Sequence, residues 1–258
     1  MDVVGFFNRE GPAFRLALQF LTRLPLPAPY SETAMRQSPR WYPAVGVVVG
    51  ALAGLVFVLG DWLFTPQLGV WLALATAVGV TGALHEDGLA DACDGLGGVR
   101  PKERVLEIMR DSRIGAYGVL GLIFTIGAKA LALQAIPAVD VVFVLIAGHT
   151  ASRAAMVWVM ASSDYVREKG AGSAVAGGID RAAMMVALVT TGLALLPLVF
   201  CVRLEAIVCG LGGLVLAQVL MRRWYEPRLG GYTGDCLGAV QQCSELGFYF
   251  GILAVAGV

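Results

Sequence analysis

Apolar residues run along this chain in long blocks, each closed by a short polar segment. Seven blocks approach the ~20 residues that a helix needs to cross a bilayer. They are 41–60, 67–84, 116–136, 138–160, 182–202, 205–221 and 236–258. Near the N-terminus, the stretch from Phe14 to Leu24 is shorter, is interrupted by Arg15, Gln19 and Arg23, and is stopped by Pro25, Pro27 and Pro29. That pattern predicts an amphipathic helix on the membrane surface rather than a cleaved targeting segment. The pattern as a whole predicts an all-α fold. It is a polytopic membrane bundle of about seven transmembrane helices with cytoplasmic amphipathic helices, forming one membrane-embedded domain over 1–258.

The polar segments between the blocks set the orientation. Segments 1–40, 85–115, 161–181 and 222–235 carry 16 of the 19 Lys and Arg residues, whereas the opposite loops carry only Arg203. Basic residues stay inside, so these four segments are expected to face the cytoplasm, with the N-terminus in and the C-terminus out. Trp41, Tyr42, Trp62, Tyr165, Trp224 and Tyr225 fall near the ends of blocks, where amphipathic rings sit at the interface.

Composition agrees. The chain of 258 residues is 57% hydrophobic and 15% charged, against about 25% charged in soluble domains, and its mean hydropathy is +0.73. The 19 basic residues balance 19 acidic ones and form no basic arm, which argues against nucleic-acid binding. The five cysteines (93, 201, 209, 236 and 243) lack metal-ligand or framework spacing and read as small buried hydrophobes.

Candidate chemistry concentrates where the second block ends. Glu86, Asp87, Asp91 and Asp94 lie within ten residues there. On a helix turning ~100° per residue, Asp87, Asp91 and Asp94 form one stripe at i, i+4 and i+7. Like charges on a stripe repel unless a cation sits between them. Magnesium suits hard oxygen ligands and commonly bridges carboxylates to phosphate oxygens. An acidic helix start favoured by the macrodipole explains one or two acids, but not three on a stripe.

Three further segments share the basic face. Glu103, Arg104 and Glu107 fit a solvated helix with i,i+4 ion pairs. Arg110, Asp111 and Arg113 stand at the mouth of the next span, and their guanidinium forks suit phosphate oxygens. The run 230–235, with Gly234 and Asp235, precedes the last block, where glycine backbone and a helix start can approach a phosphate. Asp235 is a candidate fourth metal-facing carboxylate, and Glu245 inside that block implies a lumen or a partner rather than lipid. His149 and Arg153 share a polar helix face, and Arg153 is the better candidate for phosphate pairing. Lys129 can snorkel towards the outer end, and for Lys129 and His149 a structural role is as plausible as a catalytic one. These features describe phosphorus chemistry at a cytoplasmic membrane surface, assisted by a metal. No GxxxxGK[ST] loop is present.

The chain resembles the cobalamin synthase family, the adenosylcobinamide-GDP ribazoletransferases. The resemblance rests on 20–27, 41–46, 85–98, 104–118, Arg153, Arg167 with Glu168, and 230–245. Its most specific part is HEDGLADACDGLGG followed by RDSRIGAYG. Glu86 and Cys93 depart from the family pattern, where an apolar and a small residue are usual; both lie off the aspartate stripe.

The resemblance implies a magnesium-dependent phosphotransferase of the bacterial cytoplasmic (inner) membrane, its site facing the cytoplasm. A hydroxyl of α-ribazole, or of its 5′-phosphate, attacks adenosylcobinamide-GDP and GMP leaves. The expected roles are Asp87, Asp91 and Asp94 as Mg2+ ligands, with one of them or Asp111 as proton acceptor. Arg110, Arg113 and Arg153 pair with phosphates, Gly234, Asp235 and Glu245 form the opposite wall, and His85 orients a carboxylate or the ribose. Oligomeric state stays open. Two alternatives stand beside this reading. One is a CDP-alcohol phosphotransferase of lipid synthesis, whose arginine after DGxx is replaced here by the sequence Leu89-Ala90-Asp91. The other is a cation-coupled transporter, against which no inverted repeat is visible.

Overall fold

The computed structural model describes residues 3–167, 171–177 and 179–256. Among these residues are α1 (Val3–Leu21), α2 (Glu32–Gln37), α3 (Tyr42–Leu63), α4 (Pro66–Thr81), α5 (Leu84–Leu96) and α6 (Lys102–Ile108). They continue with α7 (Ala116–Gln134), α8 (Ala138–Ser162), α9 (Arg181–Leu195), α10 (Leu198–Cys201), α11 (Leu204–Leu229) and α12 (Gly234–Ala256). The fold is all-α, as expected, and among the described residues the extended pairing is limited to one bridge between Tyr165 and Tyr232.

Local chemistry sets the boundaries. The Thr65 side chain caps α4 by accepting the Leu68 N–H, and Pro66 opens the helix at a position that needs no donor. Asp180 caps α9 in the same way, accepting from the Ala183 N–H at 2.6 Å. Gly230 ends α11 in the left-handed conformation.

Among the described residues, five helical stretches are long and apolar enough to cross a membrane: Glu32–Leu63, Ala116–Gln134, Ala138–Ser162, Arg181–Cys201 and Leu204–Leu229. A sixth arises if α4 and α5 count as one bent span. We read α4 as its crossing limb, since α5 turns away by 88°. Length and composition thus identify five or six crossings, and the expected count of seven is not confirmed. The difference lies in α12, which has 23 residues but carries Asp235, Gln241, Gln242, Ser244 and Glu245. These lower its apolarity, and the last four are enclosed by protein, with exposures of 3% or less. Outward faces carry Leu55, Trp62, Phe124, Leu131, Phe200, Val208 and Leu220 instead, as a lipid-facing surface requires.

The N-terminal helix packs one face against the bundle. Ala13, Leu16, Ala17, Leu18 and Leu21 are buried in the protein core, so this face packs on protein rather than on lipid. Interior helices approach closely: a Cβ at Gly50 of α3 would lie 2.6 Å from the Ile146 Cα of α8.

The four basic segments gather at one end of the bundle. The Arg23 N–H donates to Val80 O at 2.7 Å, and Arg222 Nη1 to Ser162 Oγ at 2.9 Å. Arg228 Nη1 donates to Leu96 O at 2.5 Å, and Arg167 Nη2 to Asp235 Oδ2 at 2.6 Å. Segments separated by most of the chain thus share one polar surface.

Candidate active site

The site is built on the bend between α4 and α5. Gly82 and Ala83 both take left-handed backbone, with φ of 65° and 59°. Alanine at positive φ is uncommon, and the fold holds it with the Ala83 N–H on Val78 O at 2.9 Å. The bend sends His85, Asp87 and Gly88 across the start of α12. A Cβ at Gly88 would lie 3.1 Å from the Asp235 Cα, and one at Gly238 would lie 2.9 Å from His85 O. Only hydrogen fits at this crossing, which brings the α5 carboxylates beside Asp235.

A cavity of about 150 Å3 opens at the crossing. Asp87, Asp235, Arg167, Tyr165 and Gly234 are among its lining residues, together with His85, Phe20, Leu21, Tyr42, Met156, Val175 and Leu237. Asp87 is exposed, whereas Leu21, Tyr42, His85, Met156 and Leu237 are buried. The carboxylates therefore mark the mouth, and the apolar residues the interior.

Arg167 connects the segment after α8 to this mouth. Tyr232 N–H donates to Asp164 O at 2.9 Å and Val166 N–H to Tyr232 O at 3.0 Å, so the two loops run together. That pairing delivers the Arg167 guanidinium to Asp235 at 2.6 Å. Sequence reasoning did not assign Arg167 to the site, although it belongs to the matching segments; Glu168, beside it, lies outside the described residues. Nothing local in the sequence reveals a partner 68 residues away.

Asp91 feels the cluster most strongly. Burial, then the charges of Asp235 and Asp87, push its carboxyl up to about 7, and Arg167 only partly offsets them. Asp111 is the opposite case: Arg113 engages it through bonds of 2.6 to 3.2 Å and holds its carboxyl down to about 2. Arg110 and Arg113 stand exposed at the surface.

Three residues expected in the site make other contacts in this structure. Asp94 shares the helical stripe, and at ~1.5 Å per residue it lies about 10 Å along the axis from Asp87. Its oxygens instead accept the Gly115 N–H at 2.7 Å and the Gly118 N–H at 2.9 Å, capping α7. Arg153 does not reach the polar surface: it is 1% exposed, its Nη1 donates to His149 O at 2.9 Å, and it is not among the residues lining the cavity.

Glu245, likewise, is not among the residues lining the cavity. It anchors a buried polar cluster, paired with Lys129 Nζ and His149 Nδ1, each at 2.9 Å, and accepting from Gln241 Nε2 at 2.6 Å and Tyr249 OH at 3.2 Å. Lys129 consequently stays inside instead of snorkelling outward. The expectation that a buried Glu245 implies a partner is met by these contacts.

Among the described residues no group of three His, Cys, Asp or Glu side chains stands ready to enclose a metal ion. Asp87, Asp91 and Asp235 nevertheless repel one another, and Arg167 offsets only part of that charge. A hard divalent ion that takes its remaining ligands from phosphate oxygens and water fits such an arrangement.

Comparison with known proteins places this geometry. The family model described as cobalamin-5-phosphate synthase matches residues 13–253. An adenosylcobinamide-GDP ribazoletransferase of Leptothrix cholodnii is 42% identical over 256 residues, covering 95% of this chain and 96% of its own. Proteins of the same name from Shewanella amazonensis and Vibrio parahaemolyticus are 39% and 38% identical. They cover 96% and 93% of this chain and 96% and 91% of their own lengths. No solved structure matches the chain. With the match spanning the α5 carboxylates, Arg167 and the start of α12, this chain belongs to the cobalamin-5-phosphate synthase family.

Proposed function

We propose that this chain is an adenosylcobinamide-GDP ribazoletransferase of cobalamin synthesis, acting on α-ribazole or its 5′-phosphate at a membrane surface. The observation that carries the reading is the meeting of Asp87, Asp235 and Arg167 at the mouth of one cavity, with Asp91 coupled to all three through its charge. Phosphoanhydride chemistry needs cationic partners for oxygens whose charge grows at the transition state, and a base for the incoming hydroxyl.

In this reading the nucleoside hydroxyl oxygen attacks the cobinamide-linked phosphorus. A P–O bond to the nucleoside forms, the bond to GMP breaks, and the hydroxyl proton passes to a cluster carboxylate. Asp111 does not serve as that acceptor, since Arg113 keeps it a weak base. Asp87, Asp91 and Asp235 would hold Mg2+, which supplies charge neutralisation to the diphosphate when bound. Asp94 leaves the metal set because its oxygens cap α7. Arg167 fixes the Asp235 carboxylate, and the exposed Arg110 and Arg113 are the candidates to meet diphosphate oxygens. The cavity is too small for a corrin, so adenosylcobinamide-GDP approaches from the open side. The clustering of basic segments at this end supports a cytoplasmic orientation in the bacterial inner membrane.

The test is GMP release by the purified, detergent-solubilised Asp91→Asn variant. Near-complete loss of turnover in a folded protein is expected. Turnover equal to the unmodified enzyme would refute the assignment.

A further inference from the structure

The apolar depth of the cavity and an unpartnered imidazole at its wall suggest a more specific role, which rests on the reaction proposed above. His85 is 2% exposed and lines the cavity. Neither of its ring nitrogens has a hydrogen-bond partner among the described residues, and Nε2 is wholly buried. A buried imidazole without a partner is costly unless a ligand completes it. Around it stand Phe20, Met156 and Val175, with the Phe20 ring stacked on Tyr42 at 6.3 Å between centroids and 10° between planes.

We infer that this cavity is the seat of the acceptor nucleoside, and that His85 recognises its base through one hydrogen bond. The interior admits a flat, fused aromatic base that lacks exocyclic polar groups, because a base edged with amino or carbonyl groups would leave them unpaired against apolar walls. A benzimidazole joined to ribose has one free ring nitrogen, which only accepts, and an imidazole N–H is its complement. With the base inside, the ribose points to the mouth, where Asp87 and Asp235 meet its hydroxyl. His85 thereby becomes a specificity residue for the acceptor, not an orienter of a carboxylate.

The test compares α-ribazole with the same nucleoside carrying C–H in place of the free ring nitrogen, by kcat/KM for GMP release from adenosylcobinamide-GDP. The wild-type enzyme should prefer α-ribazole by at least about tenfold. His85→Leu should shrink that preference to within about twofold, an effect that loosened packing alone does not produce. Met156→Phe narrows the cavity from another helix and covers the case of a His85 variant that does not fold. It should raise KM for α-ribazole about tenfold and leave KM for adenosylcobinamide-GDP unchanged. An undiminished preference in His85→Leu, or a KM change confined to adenosylcobinamide-GDP in Met156→Phe, would overturn the assignment. Absence of GMP release by the wild-type enzyme would overturn the underlying reaction instead, and with it this site.

Discussion

Arg167 and Asp235 meet at 2.6 Å although 68 residues separate them, and both side chains are largely shielded from solvent. The contact ties the segment after α8 to the first turn of α12, and it provides the positive charge that partly offsets the carboxylates around Asp91. Arg167→Ala should lower kcat/KM for GMP release roughly 10–100-fold, about 1.4–2.7 kcal/mol of transition-state stabilisation. Arg167→Lys should recover only part of it, because an ammonium lacks the planar fork. Equal activity of the alanine variant and the wild type would remove Arg167 from the site.

Asp94 and Asp91 belong to the same helix and the same stripe, yet their variants should separate. Asp94→Ala removes two bonds at the start of α7 and should cost about 0.5–2 kcal/mol of stability, the range for a lost N-cap. Asp91→Ala should abolish turnover without lowering the melting temperature. Thermal unfolding and GMP release measured on both variants read the distinction directly. A catalytic loss without destabilisation in the Asp94 variant would return that residue to the metal set.

The limits of sequence reasoning follow from the range over which each interaction acts. Apolar blocks and basic loops are properties of contiguous residues, so the helical membrane architecture and the shared polar end were legible. The aspartate stripe was legible too, because helical geometry is local. Which stripe residues share a ligand was not. Asp94 is claimed by backbone N–H groups 21 and 24 residues later, and any residue but proline offers the same donor. The apolar count of the α12 block also hides how Gln241, Gln242 and Glu245 are enclosed by protein. Arg153 was misplaced for a related reason: position along a helix indicates depth only when neighbouring helices are known.

The buried cluster around Glu245 should behave as a structural unit. Lys129 and Glu245 are 4% and 1% exposed, so removing either leaves an uncompensated charge in the bundle. Glu245→Leu and Lys129→Met should each destabilise by about 3–5 kcal/mol. The double variant should cost less than the sum of the two, since the orphaned charge is gone. Additive losses in thermal unfolding would show that the two residues are not coupled.

The carboxylate cluster makes a prediction about pH and divalent ions together. Asp91 has its carboxyl raised to about 7 in the folded protein against an ordinary 3.8. Between those values the folded state binds more protons than the unfolded one, so this group's contribution to stability declines as pH rises from about 4 to 7. The same deprotonation prepares the carboxylate for a cation, and a cation that binds only the folded state restores what repulsion removes. In metal-free enzyme the melting temperature should therefore fall across this interval. Added Mg2+ should raise it little at pH 5.5 and markedly at pH 8, and Asp91→Asn should flatten both effects. Chelation should stop GMP release, and turnover should climb with pH through the region near 7. A Mg2+ stabilisation of equal size at pH 5.5 and pH 8 would mean that the ion, if it binds, does so away from Asp91.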